Sequence, residues 1–298
     1  MASGRDFLGP YRLVRLIRSG NTCQVWEAIR DPNPERIALK VLLIDHARNK
    51  DEIEQLRHEA EVGQSLDHPA VIKIHEFNGK HELPFVAMEL FNARNLKQEM
   101  RENADSVAFH APELIRKGAQ GLEHLHGKGW IHCDVKPDNF LVRGNDVRLI
   151  DFSIAEKAKR SAGIGALFGF GRSSTVRGTR SYMSPEQIRG QNLTPSADIY
   201  SFGCMIFEVF AGRPPFAASS PNDLLNRHLK SPAPSILPYA SRVSPELNDL
   251  LMRMMAKTPA QRPESMKAFL SEYERLQVYR AGMRPAPPAE PPSEDGPK

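Results

Sequence analysis

Cysteine is scarce in this chain. Cys23, Cys133 and Cys204 make an odd count of three, set far apart with no C-x-x-C pair. That excludes a self-contained disulfide framework or a zinc knuckle and favours a reducing compartment. No long basic run occurs either: 40 lysines and arginines against 36 aspartates and glutamates leave a net charge of only +4. So small and dispersed a surplus argues against a dedicated nucleic-acid or anionic-membrane surface. Long apolar stretches are also missing. The most apolar segment, Phe202–Phe210, contains Glu208 and falls short of the ~20 residues a bilayer span takes. The N-terminal MASGRDFLGPYR lacks the apolar core of a signal peptide. A soluble, cytoplasmic protein is expected, with neither a membrane nor a nucleic-acid partner.

What is present is an ordinary globular mixture, 40% hydrophobic and 26% charged over 298 residues. A chain of this length buries a sizeable core without help from metals or disulfides, as one large domain or two smaller parts. Up to about Leu90 it reads as short strands, Tyr11–Ile17, Cys23–Ile29, Ile37–Leu43, Val71–Phe77 and Phe85–Glu89, rich in Val, Ile and Leu and bounded by turn formers. Between the third and fourth, Ile53, Leu56, Ala60 and Gly63 recur at helical spacing over Asp51–Leu66. From Asn95 onward the period changes. Helices are predicted over Pro112–His126, Ile199–Phe210, Pro245–Met255 and Pro263–Leu276, with β-like pieces at Phe140–Val142 and Val147–Ile150. A β-rich lobe followed by an α-rich lobe gives an α+β fold in two parts. Ser161–Thr179, rich in Gly and Ser, reads as a long mobile loop. The end from Arg284, with six of the 24 prolines, reads as a disordered tail.

The densest polar constellation is His132-Cys133-Asp134-Val135-Lys136-Pro137-Asp138-Asn139, followed by Ile150-Asp151-Phe152 between apolar strands. An aspartate, a lysine two residues on, an asparagine five on and a second aspartate after a β turn supply what phosphoryl transfer needs. These are a carboxylate to orient a hydroxyl, a cation near the moving group and oxygen ligands for Mg²⁺. Any one of these residues alone would equally suit a polar loop with Asx turns; their combined spacing does not.

With these residues in view the sequence resembles a eukaryotic-type (Hanks-type) serine/threonine protein kinase domain, of a bacterial sort. HCDVKPDN resembles the catalytic loop, IDFS the DFG motif, SYMSPEQ the APE motif, IALKVL the strand of the nucleotide lysine and DIYSFG the start of the central C-lobe helix. The resemblance covers about Tyr11–Leu276. It implies a bilobal fold: a small antiparallel N-lobe sheet with one helix over 11–90, and a mainly helical C-lobe over 91–276. An N-terminal extension (1–10) and the proline-rich tail (284–298) would flank it. It further implies that Lys40 holds the α- and β-phosphates of ATP and pairs with Glu59, which shares a helix stripe with Leu56 and Gly63. Asp134 would be the catalytic carboxylate, Lys136 the phosphate-neutralising cation, and Asn139 and Asp151 the Mg²⁺ ligands. Glu89 and Phe91 would offer backbone groups to adenine, with Ile17, Gly20, Val25, Ala38, Met88 and Leu141 completing the nucleotide pocket. Glu186 and Arg262 would pair to anchor the activation segment, and Asp198 would tie the central helix to the catalytic loop.

Some positions depart from the family pattern. The phosphate-covering loop reads Arg18-Ser19-Gly20-Asn21-Thr22-Cys23-Gln24-Val25 and keeps only the second of its glycines. Cys133 stands where an arginine is usual, and Ser153 where a glycine is. These departures raise a rival reading, a pseudokinase that binds nucleotide or a partner as a scaffold. A small-molecule phosphotransferase is disfavoured by the intact stretch Gly178-Thr179-Arg180-Ser181-Tyr182-Met183-Ser184-Pro185-Glu186, which shapes a peptide floor. Lys136 with Thr179 points to Ser/Thr acceptors on protein substrates.

Overall fold

The computed structural model describes residues 7–32, 34–158 and 179–288. The serine- and threonine-bearing loop with Ser173, Ser174 and Thr175 lies outside the described residues, as does the tail beyond 288. The N-lobe is a six-stranded antiparallel sheet in the order β1-β2-β3-β4-β6-β5. Its strands are β1 (Phe7–Leu8), β2 (Tyr11–Ser19), β3 (Cys23–Arg30), β4 (Glu35–Leu42), β5 (Ile74–Asn78) and β6 (Phe85–Glu89), with helix α1 (Lys50–Gln64) between β4 and β5. The sheet begins at Phe7, ahead of the expected boundary at residue 11, because Leu8 is buried in the core of the outer sheet face.

Alternation along β4 positions the chemistry. Ile37, Leu39 and Val41 point into that outer core with Tyr11 and Phe85, so Ala38 and Lys40 point to the opposite face, toward the cleft. Helix α1 starts at Asn49, whose side chain accepts from the Asp51 N–H. Its close approach to β5 depends on Gly63, where a Cβ would come within 2.3 Å of Ile74 Cγ1.

The short strand β7 (Arg94–Asn95) and helix α2 (Leu96–Glu102) lead into α3 (Ala104–Gly127). The 24-residue α3 starts well before Pro112, which sits inside it. A proline there has no N–H for the carbonyl four residues back. That carbonyl, of Ala108, instead accepts from the Tyr279 hydroxyl. Strand β8 (Trp130–Ile131), the hairpin β9 (Phe140–Arg143) and β10 (Asp146–Leu149), and β11 (Glu156–Lys157), paired with β8, carry the polar loops. Beyond them lie α4 (Pro185–Ile188), the buried α5 (Ser196–Ala211), α6 (Pro221–Lys230), α7 (Pro245–Met254) and α8 (Met266–Tyr273). Helix α8 is shorter than the predicted Pro263–Leu276, since Ser265 caps its start by accepting from the Ala268 N–H. The start of the tail is placed: Arg284 lies over the Phe109 ring at 5.3 Å, and Pro285 is buried. No helix among the described residues is long and apolar enough to cross a membrane.

Candidate active site

A cleft of about 390 Å³ opens between the sheet and the helical lobe. It brings together Ile17, Gly20, Val25, Ala38, Lys40, Glu59, Met88, Glu89, Phe91, Asn139, Leu141 and Asp151, residues far apart along the chain. Asp134 and Lys136 stand beside it, joined through Asn139. Thr22, Cys23, Leu42, Ile72 and Ala93 also line the cleft; Cys23 aside, their plain apolar or small polar character gave no signal in the sequence.

At its centre Lys40 Nζ lies 2.5 Å from Glu59 Oε2 and 3.7 Å from Asp151 Oδ1. Burial opposes the lysine's charge, but the two carboxylates outweigh it and hold its pKa above that of an ordinary lysine. For Asp151, burial would raise the carboxyl; the Lys40 charge and the Ser153 hydroxyl outweigh that and hold it well below the usual carboxylate range. Glu59 is pushed up by burial against the pull of Lys40. Ser153, which the sequence marks only as a lost glycine, donates its hydroxyl to Asp151 Oδ1 at 2.7 Å.

The catalytic-loop cluster is equally tight. Lys136 Nζ lies 2.6 Å from Asp134 Oδ2, and Asn139 Nδ2 donates to the Asp134 carbonyl at 2.8 Å and to Oδ2 at 3.1 Å. Burial pushes the Asp134 carboxyl up, partly offset by Lys136. Among the described residues, two that are not glycine adopt the left-handed backbone region, Cys133 (φ 67°) and Asp151 (φ 66°). Such strain is kept only where surroundings over-determine it. The Asp198 carboxylate accepts from the N–H groups of His132 and Cys133, Gln187 Nε2 donates to the Cys133 carbonyl at 2.8 Å, and Phe152 is fully buried. His126, which no sequence pattern marks, joins this hold, its Nε2 2.8 Å from Asp198 Oδ2.

At the adenine end of the cleft, the Glu89 N–H bonds the Lys73 carbonyl at 2.8 Å, and the Glu89 side chain pairs with Arg148 at 2.9 Å. The guanidinium groups of Arg143 and Arg148 both lie over the Phe91 ring, 4.9 and 4.6 Å from its centroid. The phosphate-side loop closes as a tight hairpin in which the Gly20 N–H donates to the Cys23 carbonyl at 2.8 Å. A Cβ on Gly20 would meet that same oxygen at 3.2 Å. Below the cleft, Arg262 holds Glu186 through two bonds of 2.6 and 2.9 Å. Glu208 receives both Lys97 and the Tyr182 hydroxyl.

The family model described as protein kinase domain matches residues 11–273. The chain is 32% identical over 97% of its length to the serine/threonine-protein kinase PknA of Mycobacterium tuberculosis, covering 65% of that protein. It is 31% identical to PknB of Mycolicibacterium smegmatis over 94% of this chain and 47% of the relative. Against PrkC of Bacillus subtilis it is 28% identical over 89% of this chain and 40% of the relative. The chain thus spans less than two thirds of the length of these relatives.

Proposed function

The chain belongs to the protein kinase domain family, and on that premise we propose that it is a serine/threonine protein kinase. It would pass the γ-phosphoryl group of ATP to Ser/Thr hydroxyls of protein substrates and also modify its own chain. The observation that carries this is the pairing of Lys40 with both Glu59 and Asp151, with Asp134, Lys136 and Asn139 clustered beside the same cleft. Lys40, kept charged by its neighbours, holds the α- and β-phosphates. Glu59 fixes the reach of Lys40. Asp134 orients the attacking hydroxyl and takes its proton, while Lys136 offsets charge on the moving phosphoryl group. The Glu89 carbonyl and the Phe91 backbone meet the purine edge between Val25, Ala38 and Leu141.

Asn139 and Asp151 would hold Mg²⁺. The donor chemistry fits: Asn139 turns its amide nitrogen to Asp134, so its oxygen is the atom left for a cation, and Asp151 stays anionic. Two oxygen ligands without a full protein cage suit Mg²⁺, which is completed by phosphates and water. When bound, the ion neutralises phosphate charge and aligns the transferring group. ATP and Mg²⁺ are supplied in the cytoplasm, where we place this domain.

The pseudokinase alternative draws on Arg18, Cys23, Cys133 and Ser153. It would leave Asp134 without a task, although its carboxylate is largely shielded from water and held by Lys136 and Asn139. The test is incubation of the purified chain with γ-labelled ATP, Mg²⁺ and generic protein acceptors, with phosphoamino-acid analysis of the products. Mg²⁺-dependent phosphoserine and phosphothreonine support the reading; no transfer, or phosphotyrosine alone, overturns it.

A further inference from the structure

Helix α1 carries Glu59, so the seating of α1 decides whether Lys40 has its carboxylate. Burial opposes the charge on both members of this pair. An α1 that swings away would let Glu59 rehydrate, so the seated position needs a hold from outside the pair.

His58, the neighbour of Glu59, supplies a contact that the mechanism above does not use. Its Nε2 lies 2.7 Å from the carbonyl oxygen of Ala155. A carbonyl only accepts, so His58 Nε2 is the donor. Ala155 is buried just after Asp151-Phe152, and its own N–H donates to the Phe152 carbonyl at 3.1 Å. The His58 ring also meets Trp130 edge-on, centroids 5.7 Å apart. Trp130 Nε1 donates to the hydroxyl of Ser65, the C-cap of α1, at 3.1 Å. Trp130 is also covered by the Lys157 ammonium, 3.9 Å from the ring centroid, and the two residues are cross-strand partners in β8 and β11. Helix α1 is therefore fastened at its middle and at its end to the stretch that follows Asp151.

None of these groups needs a phosphate. The positions from which a phosphorylated segment would be gripped hold instead Cys133, buried and with its thiol pushed up chiefly by that burial, and Glu156, exposed and acidic.

We propose that His58 is a positioning residue for phosphoryl transfer. With Trp130 and Lys157 it latches α1 to Phe152–Lys157, so that Glu59 stays against Lys40 without a phosphorylated activation segment. This rests on the kinase reading above.

The test compares His58→Ala and His58→Gln in the full chain. Alanine removes the donor yet favours helix more than histidine does, so α1 does not unravel for lack of propensity. Glutamine keeps an amide donor that reaches the same carbonyl. His58→Ala should lower kcat about fivefold, the scale of one hydrogen bond, with KM for the protein acceptor unchanged. His58→Gln should recover most of that loss. Hydrogen exchange, read on the same proteins, should quicken in α1 and around Ala155 for the alanine variant only, with α5 unchanged. Equal kcat in wild type and His58→Ala, or glutamine no better than alanine, overturns the proposal, as does unchanged exchange in α1. A wild-type chain that transfers no phosphoryl group, while α1 exchange responds as stated, overturns the kinase reading and supports the latch as a structural device.

Discussion

Asp198 Oδ1 accepts the backbone N–H of Cys133 at 2.9 Å, at a residue held in the left-handed region with φ 67°. A side-chain-bearing residue in that region costs roughly 1–2 kcal/mol. The same carboxylate takes the His132 N–H at 2.7 Å, and burial, which alone would raise it, is outweighed by the His126 and His132 contacts that keep it ionised. A buried anion on α5 thus holds the strained turn that carries Asp134 beside the cleft. Asp198→Ala should lower the melting temperature and cut transfer more than tenfold, since each hydrogen bond to a charged group is worth about 1.5–3 kcal/mol. Thermal unfolding and steady-state kinetics on the same variant check both halves.

The Glu186–Arg262 pair is a matter of stability. The Arg262 side chain is wholly buried and also donates to the Ser196 and Ala256 carbonyls. Arg262→Ala leaves a buried carboxylate and these oxygens without their donor, a loss on the order of 3–5 kcal/mol. Urea unfolding should show it as a lower midpoint. A midpoint within error of wild type would mean that the pair anchors nothing.

A pH profile separates the two aspartates of the cleft. Asp151 is held well below the carboxylate range, whereas burial raises Asp134. On acidification Asp134 takes its proton before Asp151; Glu59, also raised by burial, titrates on the same side. The step in the acid limb of kcat that responds to Lys136 is therefore the one that reports Asp134. It should lie above the usual aspartate pKa of about 3.9. Lys136→Met removes the charge that favours the ionised form, so the limb should move to higher pH although the rate falls throughout. A limb that stays in place or moves down contradicts the assignment.

Activation-segment phosphorylation should matter little. Ser173, Ser174 and Thr175 lie outside the described residues, but the partners a phosphate would need do not. Cys133 is neutral and Glu156 would repel it, since a phosphate orders a chain only where cations pair with it. Changing all three residues to alanine should reduce transfer to an external substrate by less than about tenfold, or ~1.4 kcal/mol in the barrier.

Strands β2 to β6 and helix α1 were legible because alternation and helical spacing are local properties of the chain. Asp134, Lys136, Asn139 and Asp151 were legible because their polar spacing is unusual on any fold, whereas Lys40, alone in an apolar strand, was legible only through the resemblance of IALKVL. The start of α3 was hidden: Pro112 reads as a helix beginning until Tyr279, distant in sequence, meets the carbonyl the proline frees. Helix α2 is short and begins with an Asn95–Gln98 capping box rather than a clear apolar stripe. The left-handed turns at Cys133 and Asp151 carry no glycine to announce them, being held by Asp198 and by Lys40 with Ser153. The contact between His58 and Ala155 joins a helix flank to a loop backbone, which no local pattern encodes.

The most direct test of the account is Mg²⁺-dependent phosphoryl transfer from ATP by the purified chain, run beside its Asp134→Asn variant. Asparagine keeps the size and most contacts of Asp134 but cannot take the hydroxyl proton, so the fold and nucleotide binding should persist. Transfer should fall by about 10²–10⁴-fold, the range for losing a positioned general base. Transfer by Asp134→Asn at the wild-type rate, or none by the wild type, would contradict the account.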